Sequence, residues 1–141
     1  MAKADPLEEI GIERKEVSDD VFSKHFNGFI QSFVDENYRQ RIENLLKRES
    51  WVKVSTTIEK HLNRNFCQHW EKQSRPDNWE EKYNSNEGIY IANKSKGLLM
   101  NTDQASNLSL HQCEDAIFSI NAGKLAIYLN HDWGIWYCHR T

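Results

Sequence analysis

The sequence predicts an α+β domain, with N-terminal helices packed on one face of a C-terminal antiparallel meander sheet. Three observations carry this expectation. Apolar residues recur at helical spacing from Phe22 to about residue 72. Beyond the breaker Arg75-Pro76-Asp77-Asn78, short β-branched and aromatic runs alternate with turn residues. The helical segments precede the strands instead of alternating with them, which favours α+β over βαβ units.

Residues 1–17 read as a loosely held, acidic N-terminal arm with Leu7, Ile10 and Ile12 as docking residues. Residues 18–141 read as a single domain, helical over 18–73 and mainly β over 87–140. Ser18 suits a helix N-cap, with Asp19 and Asp20 at the positive end of the helix dipole. Phe22, Phe26, Phe29, Ile30, Phe33 and Val34 then form one apolar stripe. A second helix is expected over residues 36–49, with Tyr38, Ile42, Leu45 and Leu46 inward.

Ser50 is read as the cap of a third helix running to about residue 72, in which Trp51, Val54, Ile58 and Leu62 keep helical spacing. The run Val52–Thr57 is β-branched, so its first part fits a strand as well. In the second half, Ile89–Ala92 and Leu98–Met100 flank a turn and predict a hairpin. A polar loop is expected through residue 107, followed by Leu108–His111 of undecided type. Ala116–Ile120, Leu125–Leu129 and Ile135–His139 predict three consecutive meander strands.

The net charge of −3 argues against wholesale nucleic-acid binding. Charge is unevenly spread. The first twenty residues hold seven acids against three bases, whereas residues 36–75 hold nine bases against five acids. Three Cys cannot all pair within one chain. The N-terminus MAKADPLEEIGIERKEV lacks an apolar signal core, so reduced thiols and a cytoplasmic location are expected. The longest apolar stretch, Leu125–Leu129, is far shorter than a membrane span.

Each Cys has a His beside it: Cys67 with His69, His111 with Cys113, and Cys138 with His139. Thiolate and imidazole are good zinc ligands. On a helix, however, Cys67 and His69 point about 200° apart, and on a strand Cys138 and His139 face opposite sides. Only His111 and Cys113 fit one strand face, so they are the pair to examine if a metal is present. No metal and no cofactor are expected, because free Cys is commonly a small buried apolar residue. A Cys–His nucleophile at Cys113 or Cys138 lacks a local electropositive setting. His131-Asp132 resembles an acid–base pair, but turns favour both residues on conformational grounds. No known catalytic motif is present, and the balance leans away from an enzyme.

Two surfaces merit weighing. The basic helical face of residues 39–75 offers Arg39, Arg41, Lys47, Arg48 and Arg64, interleaved with Trp51 and Trp70. Such a face holds phosphates and stacks bases, or is simply solvated. The sheet end "HDWGIWYC" places Ile135 and Tyr137 on one strand face and Trp136 on the other. With helices on one face only, either Trp136 or Tyr137 is expected to look toward solvent, Trp136 if Ile135 faces the helices, unless a loop such as residues 101–114 or the acidic arm covers them. Trp133, Trp136, Tyr137, Tyr128 and Tyr90 are then candidate anchors for a protein partner.

The function expected from these observations is macromolecular binding: a small intracellular protein that holds another protein, with a basic partner suiting its acids. Bacterial immunity proteins, antitoxins and adaptors are of this type. The runner-up is a nucleic-acid-binding module using the basic face. A third alternative is a metal protein or enzyme built from Cys and His. The sequence leaves the oligomeric state open.

Overall fold

The computed structural model describes residues 5–48, 50–69, 79–84, 86–92, 95–132 and 134–140. Helices α1 (Pro6–Glu9), α2 (Asp19–Phe33), α3 (Arg39–Lys47) and α4 (Trp51–Lys60) lead into a three-residue strand, β1 (Cys67–His69). Strands β2 (Glu87–Ala92) and β3 (Ser95–Asn101) form a hairpin followed by helix α5 (Thr102–Gln112). Strands β4 (Ala116–Asn121), β5 (Leu125–Leu129) and β6 (Ile135–His139) complete one antiparallel sheet of order β1-β6-β5-β4-β2-β3. This is the α+β fold that the sequence predicts.

The Ser18 hydroxyl accepts from the Val21 N–H and starts α2. Phe26, Phe29, Ile30 and Phe33 then lie buried along one face. That face packs on the side of the sheet carrying Ile89, Ser119, Tyr128 and Cys138. His25 Nδ1 meets Ser119 Oγ at 2.7 Å, and the Tyr128 hydroxyl donates to the Ser55 carbonyl of α4 at 3.0 Å. Gly28 permits a close approach. A Cβ there would lie 2.8 Å from the Gly123 nitrogen in the β4–β5 turn.

The opposite sheet face carries Tyr90, Phe118, Ile127 and Tyr137, as the strand registers require. It is covered as well. Helix α5 and the segment Trp79–Asn84 lie over it, with the Tyr83 and Tyr137 rings 4.9 Å apart. The sheet is thus the middle layer of three.

Several sequence expectations need correction. The third helix ends at Lys60 and does not reach residue 72. Its polypeptide turns at Asn63, whose N–H donates to the Phe33 carbonyl (2.7 Å) and whose side chain accepts from the Asn65 N–H (2.9 Å). Cys67–His69 then pairs with β6 as an edge strand. Residues 70–73, also expected to be helical, lie outside the described residues. The second helix opens with a 3₁₀ turn at Glu36–Tyr38 before α3. The polar loop of residues 101–107 is instead the start of α5. Asn101 and Gln104 form a reciprocal capping box there.

The acidic arm is firmly placed from Asp5 onward. Leu7 and Ile12 are buried, and Arg14 clasps Asp5 through two 2.9 Å hydrogen bonds. The Leu99 N–H donates to the Lys15 carbonyl (2.8 Å) and the Val17 N–H to the Gly97 carbonyl (3.1 Å). The arm therefore covers the outer edge of β3. No helix among the described residues is long and apolar enough to cross a membrane.

Candidate functional site

A concavity lies where four distant segments meet: the arm at Pro6, Leu7 and Arg14, the first turns of α4, the C-terminal end of α5, and the turn at His131. It encloses about 720 Å³. Leu7, Trp51 and Leu108 supply apolar wall, and Ser55, Thr56, Gln112, Glu114, Asp115 and His131 supply polar lining. Val52 belongs to the same lining and is 73% exposed, the most exposed large apolar side chain among the described residues.

Asp115 organises this cleft. Its Oδ1 accepts from the His131 N–H (2.8 Å) and meets His131 Nδ1 at 2.7 Å. Its Oδ2 accepts from Ser55 Oγ at 2.8 Å. Its main-chain carbonyl accepts from Trp51 Nε1 at 2.9 Å. The hydrogen bond and charge of Asp115 raise the His131 imidazole above its ordinary value. Burial pushes the neighbouring Glu114 carboxyl up to about 7. The Tyr90 hydroxyl lies against that carboxyl without closing a well-formed hydrogen bond.

Chemically, Asp115 and His131 have the contact of an acid–base dyad. The carboxylate also receives a serine and a main-chain N–H, so its bonds tie together α4, the start of β4 and the 130–132 turn. The exposed thiol of Cys113 lines the same cleft, with Sγ directed to the Leu110 carbonyl at 3.6 Å. Ser55 donates to the Asp115 carboxylate and the Cys113 thiol to a main-chain carbonyl, and among the described residues of the cleft neither is paired with an imidazole. The arrangement suits recognition of a ligand with both apolar and polar parts.

The expected exposed aromatic patch is corrected. Tyr90 and Tyr128 are fully buried and Tyr137 is 6% exposed. Desolvation drives the phenol pKa values of Tyr90 and Tyr128 far above the ordinary range. Tyr137 is covered because α5 and Trp79–Asn84 close the second face of the sheet. Trp136 is half-buried on the face of the N-terminal helices and does not look away from them. Its ring lies 4.4 Å from that of His69 and 5.6 Å from that of Tyr128. Trp133 lies outside the described residues.

The basic set is split. Arg41, Lys47 and Arg48 are exposed on or just after α3, while Arg39 Nε turns back to the Val34 carbonyl at 3.2 Å. Arg64 sits apart, in a concavity with Lys82, Tyr83 and His139. Trp51 is buried and hydrogen-bonded, so it cannot stack a base, and Trp70 lies outside the described residues. His111 and Cys113 share no strand face. They end α5, where His111 Nε2 meets Glu9 at 2.7 Å and Cys113 takes a left-handed conformation. Among the described residues, no group of three or more Cys, His, Asp or Glu converges as a metal site would.

Val52, Ser55 and Asp115 were not singled out by the sequence, and no local spacing marks them, because their neighbours are remote in the chain. His131 was singled out, but its close partner is Asp115 and not the adjacent Asp132, which stands at 3.3 Å. Compared with known protein families, with curated proteins and with solved structures, the chain matches none.

Proposed function

We propose that this chain works by macromolecular binding, holding a segment of another protein in the cleft between the arm, α4, α5 and the 130–132 turn. The observation that carries this reading is Val52. A single exposed aliphatic side chain is ordinary on a protein surface. This one borders a concavity walled by Leu7, Trp51 and Leu108, which is how an anchor pocket is built. The net charge of −3, with seven acids against three bases in the first twenty residues, suits a partner segment that combines an apolar anchor with basic groups. An intracellular binding protein of the immunity, antitoxin or adaptor type, working in the cytoplasm, fits these features.

The test is selection of peptides from a random display library on the full chain, with Val52→Arg as the counter-selected variant. Selected peptides are expected to carry an aliphatic or aromatic residue near Lys or Arg. They should lose about tenfold or more in affinity on Val52→Arg, and keep their affinity on Arg41→Glu with Arg48→Glu. Peptides indifferent to Val52→Arg would overturn the cleft as the binding site. Tight, steeply salt-dependent binding of an oligonucleotide, lost on Arg41→Glu with Arg48→Glu, would favour the nucleic-acid alternative.

A further inference from the structure

Strand β1 is the outermost strand of the sheet and places Cys67 directly opposite Cys138 of β6. The His139 N–H donates to the Phe66 carbonyl at 3.0 Å, so residues 66 and 139 form a hydrogen-bonded pair. Antiparallel pairs alternate, which makes Cys67 and Cys138 a non-hydrogen-bonded pair. At such pairs the Cα atoms stand about 4.5 Å apart with their side chains on the same face. That spacing falls within the span a disulfide bridges, roughly 4.4–6.8 Å. Both thiols are free. Cys138 is fully buried and has Cys67 as its side-chain partner. Cys67 is 7% exposed, on a strand that, among the described residues, pairs on one side only.

From this register we infer that Cys67 and Cys138 are a site of reversible oxidation, closing to a cross-strand disulfide with hydrogen peroxide as the oxidant. Cys67 is the sulfur that peroxide reaches first, because fraying of a three-residue edge strand uncovers it. Its thiolate attacks one peroxide oxygen and the O–O bond breaks. The departing hydroxide takes up the thiol proton and leaves as water, with Cys67 now a sulfenic acid. The Cys138 sulfur then attacks the Cys67 sulfur. The S–O bond breaks, and the hydroxide leaves with the Cys138 proton as a second water. Two thiols have lost two electrons, and one peroxide has gained them. The product fixes the edge strand to β6 without changing its register.

The third thiol is a built-in contrast. Cys113 is exposed, caps the C-terminal end of α5, and has no opposing Cys among the described residues. The experiment uses the full chain carrying Cys113→Ser, treated with hydrogen peroxide and then alkylated in denaturant. The expected result is a monomer whose mass has fallen by two hydrogens, with a non-reduced peptide joining Cys67 to Cys138. Dithiothreitol should restore both alkylatable thiols, and the oxidised form should melt at a higher temperature than the reduced form. Cys67→Ala should abolish the linked peptide. Because Cys67 is at the edge, this variant is preferred to one at the buried Cys138. Titration of the Cys113→Ser protein against glutathione buffers gives a readout that needs no variant at either position. Two thiols that remain alkylatable after peroxide, or a Cys67 carried on to sulfinic acid with Cys138 still free, would overturn the inference.

Discussion

The indole Nε1 of Trp51 donates to the main-chain carbonyl of Asp115 at 2.9 Å, joining the first residue of α4 to the residue before β4. The Asp115 side chain adds bonds to Ser55 and His131. One residue thus joins three segments that form the cleft. Asp115→Ala should lower unfolding stability by about 2–3 kcal/mol, because it leaves polar groups without their acceptor. Trp51→Phe keeps most of the packing and loses one bond, for about 1 kcal/mol. Urea unfolding checks both, and midpoints equal to that of the parent would show that the junction contributes nothing.

Glu114 and His131 should make the protein lose stability as pH rises. Burial holds Glu114 near 7, above its ordinary 4.5, so over that interval the native state keeps a proton that the unfolded state has released. The His131 value is raised by Asp115. Its contribution is complete below the unfolded imidazole value and is lost as pH passes its folded value. His25 acts in the other direction. Burial lowers its value, so protonation at acid pH favours unfolding. Melting temperature followed from about pH 4.5 to about pH 9 should fall as pH rises in the parent, with the fall beginning between 4.5 and about 7. Glu114→Gln should remove the lower part of that fall and His131→Asn the upper part. A profile unchanged by both substitutions would contradict these assignments.

The phenylalanines of α2 are the principal contact between the N-terminal helices and the sheet. Phe26 and Phe29 are 2% and 0% exposed. Replacing either with Ala should cost about 3–5 kcal/mol. Calorimetry of the two single variants is the measurement, and a melting temperature within error of the parent would deny them a core role.

Gly28 offers a test with opposed expectations. Ala favours a helix interior over Gly by about 1 kcal/mol, so helix propensity alone predicts a gain. The added Cβ, however, would meet the Gly123 nitrogen at 2.8 Å, and main chain cannot swing aside as a flexible side chain does. Gly28→Ala should therefore destabilise by about 1–3 kcal/mol. A rise in melting temperature would mean that α2 sits farther from the β4–β5 turn.

What the sequence disclosed follows the strength of local signals. Helix α2 was legible because the Ser18 cap and a phenylalanine stripe coincide. Strands β4, β5 and β6 were legible because apolar runs are separated by evident turns. Helix α5 was hidden, since Ala105 and Leu108 leave its apolar periodicity thin, although Asn101 and Gln104 already spelled its capping box. Strand β1 has no local signal at all, because three residues become a strand only through β6. Missing α5 carried the larger cost. The alternation of Trp136 against Ile135 and Tyr137 is legible in the sequence, but whether residues 101–114 cover the second face of the sheet is not, and α5 does cover it. The cleft could not be read from spacing, because Leu7, Val52, Asp115 and His131 meet only through the tertiary fold.

The strand order also sets the sequence of events in folding. Among the described residues, 67–69 find their strand partner only in residues 136–138, and Lys15 and Val17 wait for Leu99 and Gly97. Both margins of the sheet are therefore closed by contacts between remote parts of the chain, which slows the search for the native state. During synthesis the helical half emerges first, with the phenylalanine face of α2 still lacking the strands it covers. Completion of the sheet is a late event that depends on β6 leaving the ribosome. Until then the nascent chain carries exposed apolar surface of the kind that chaperones bind.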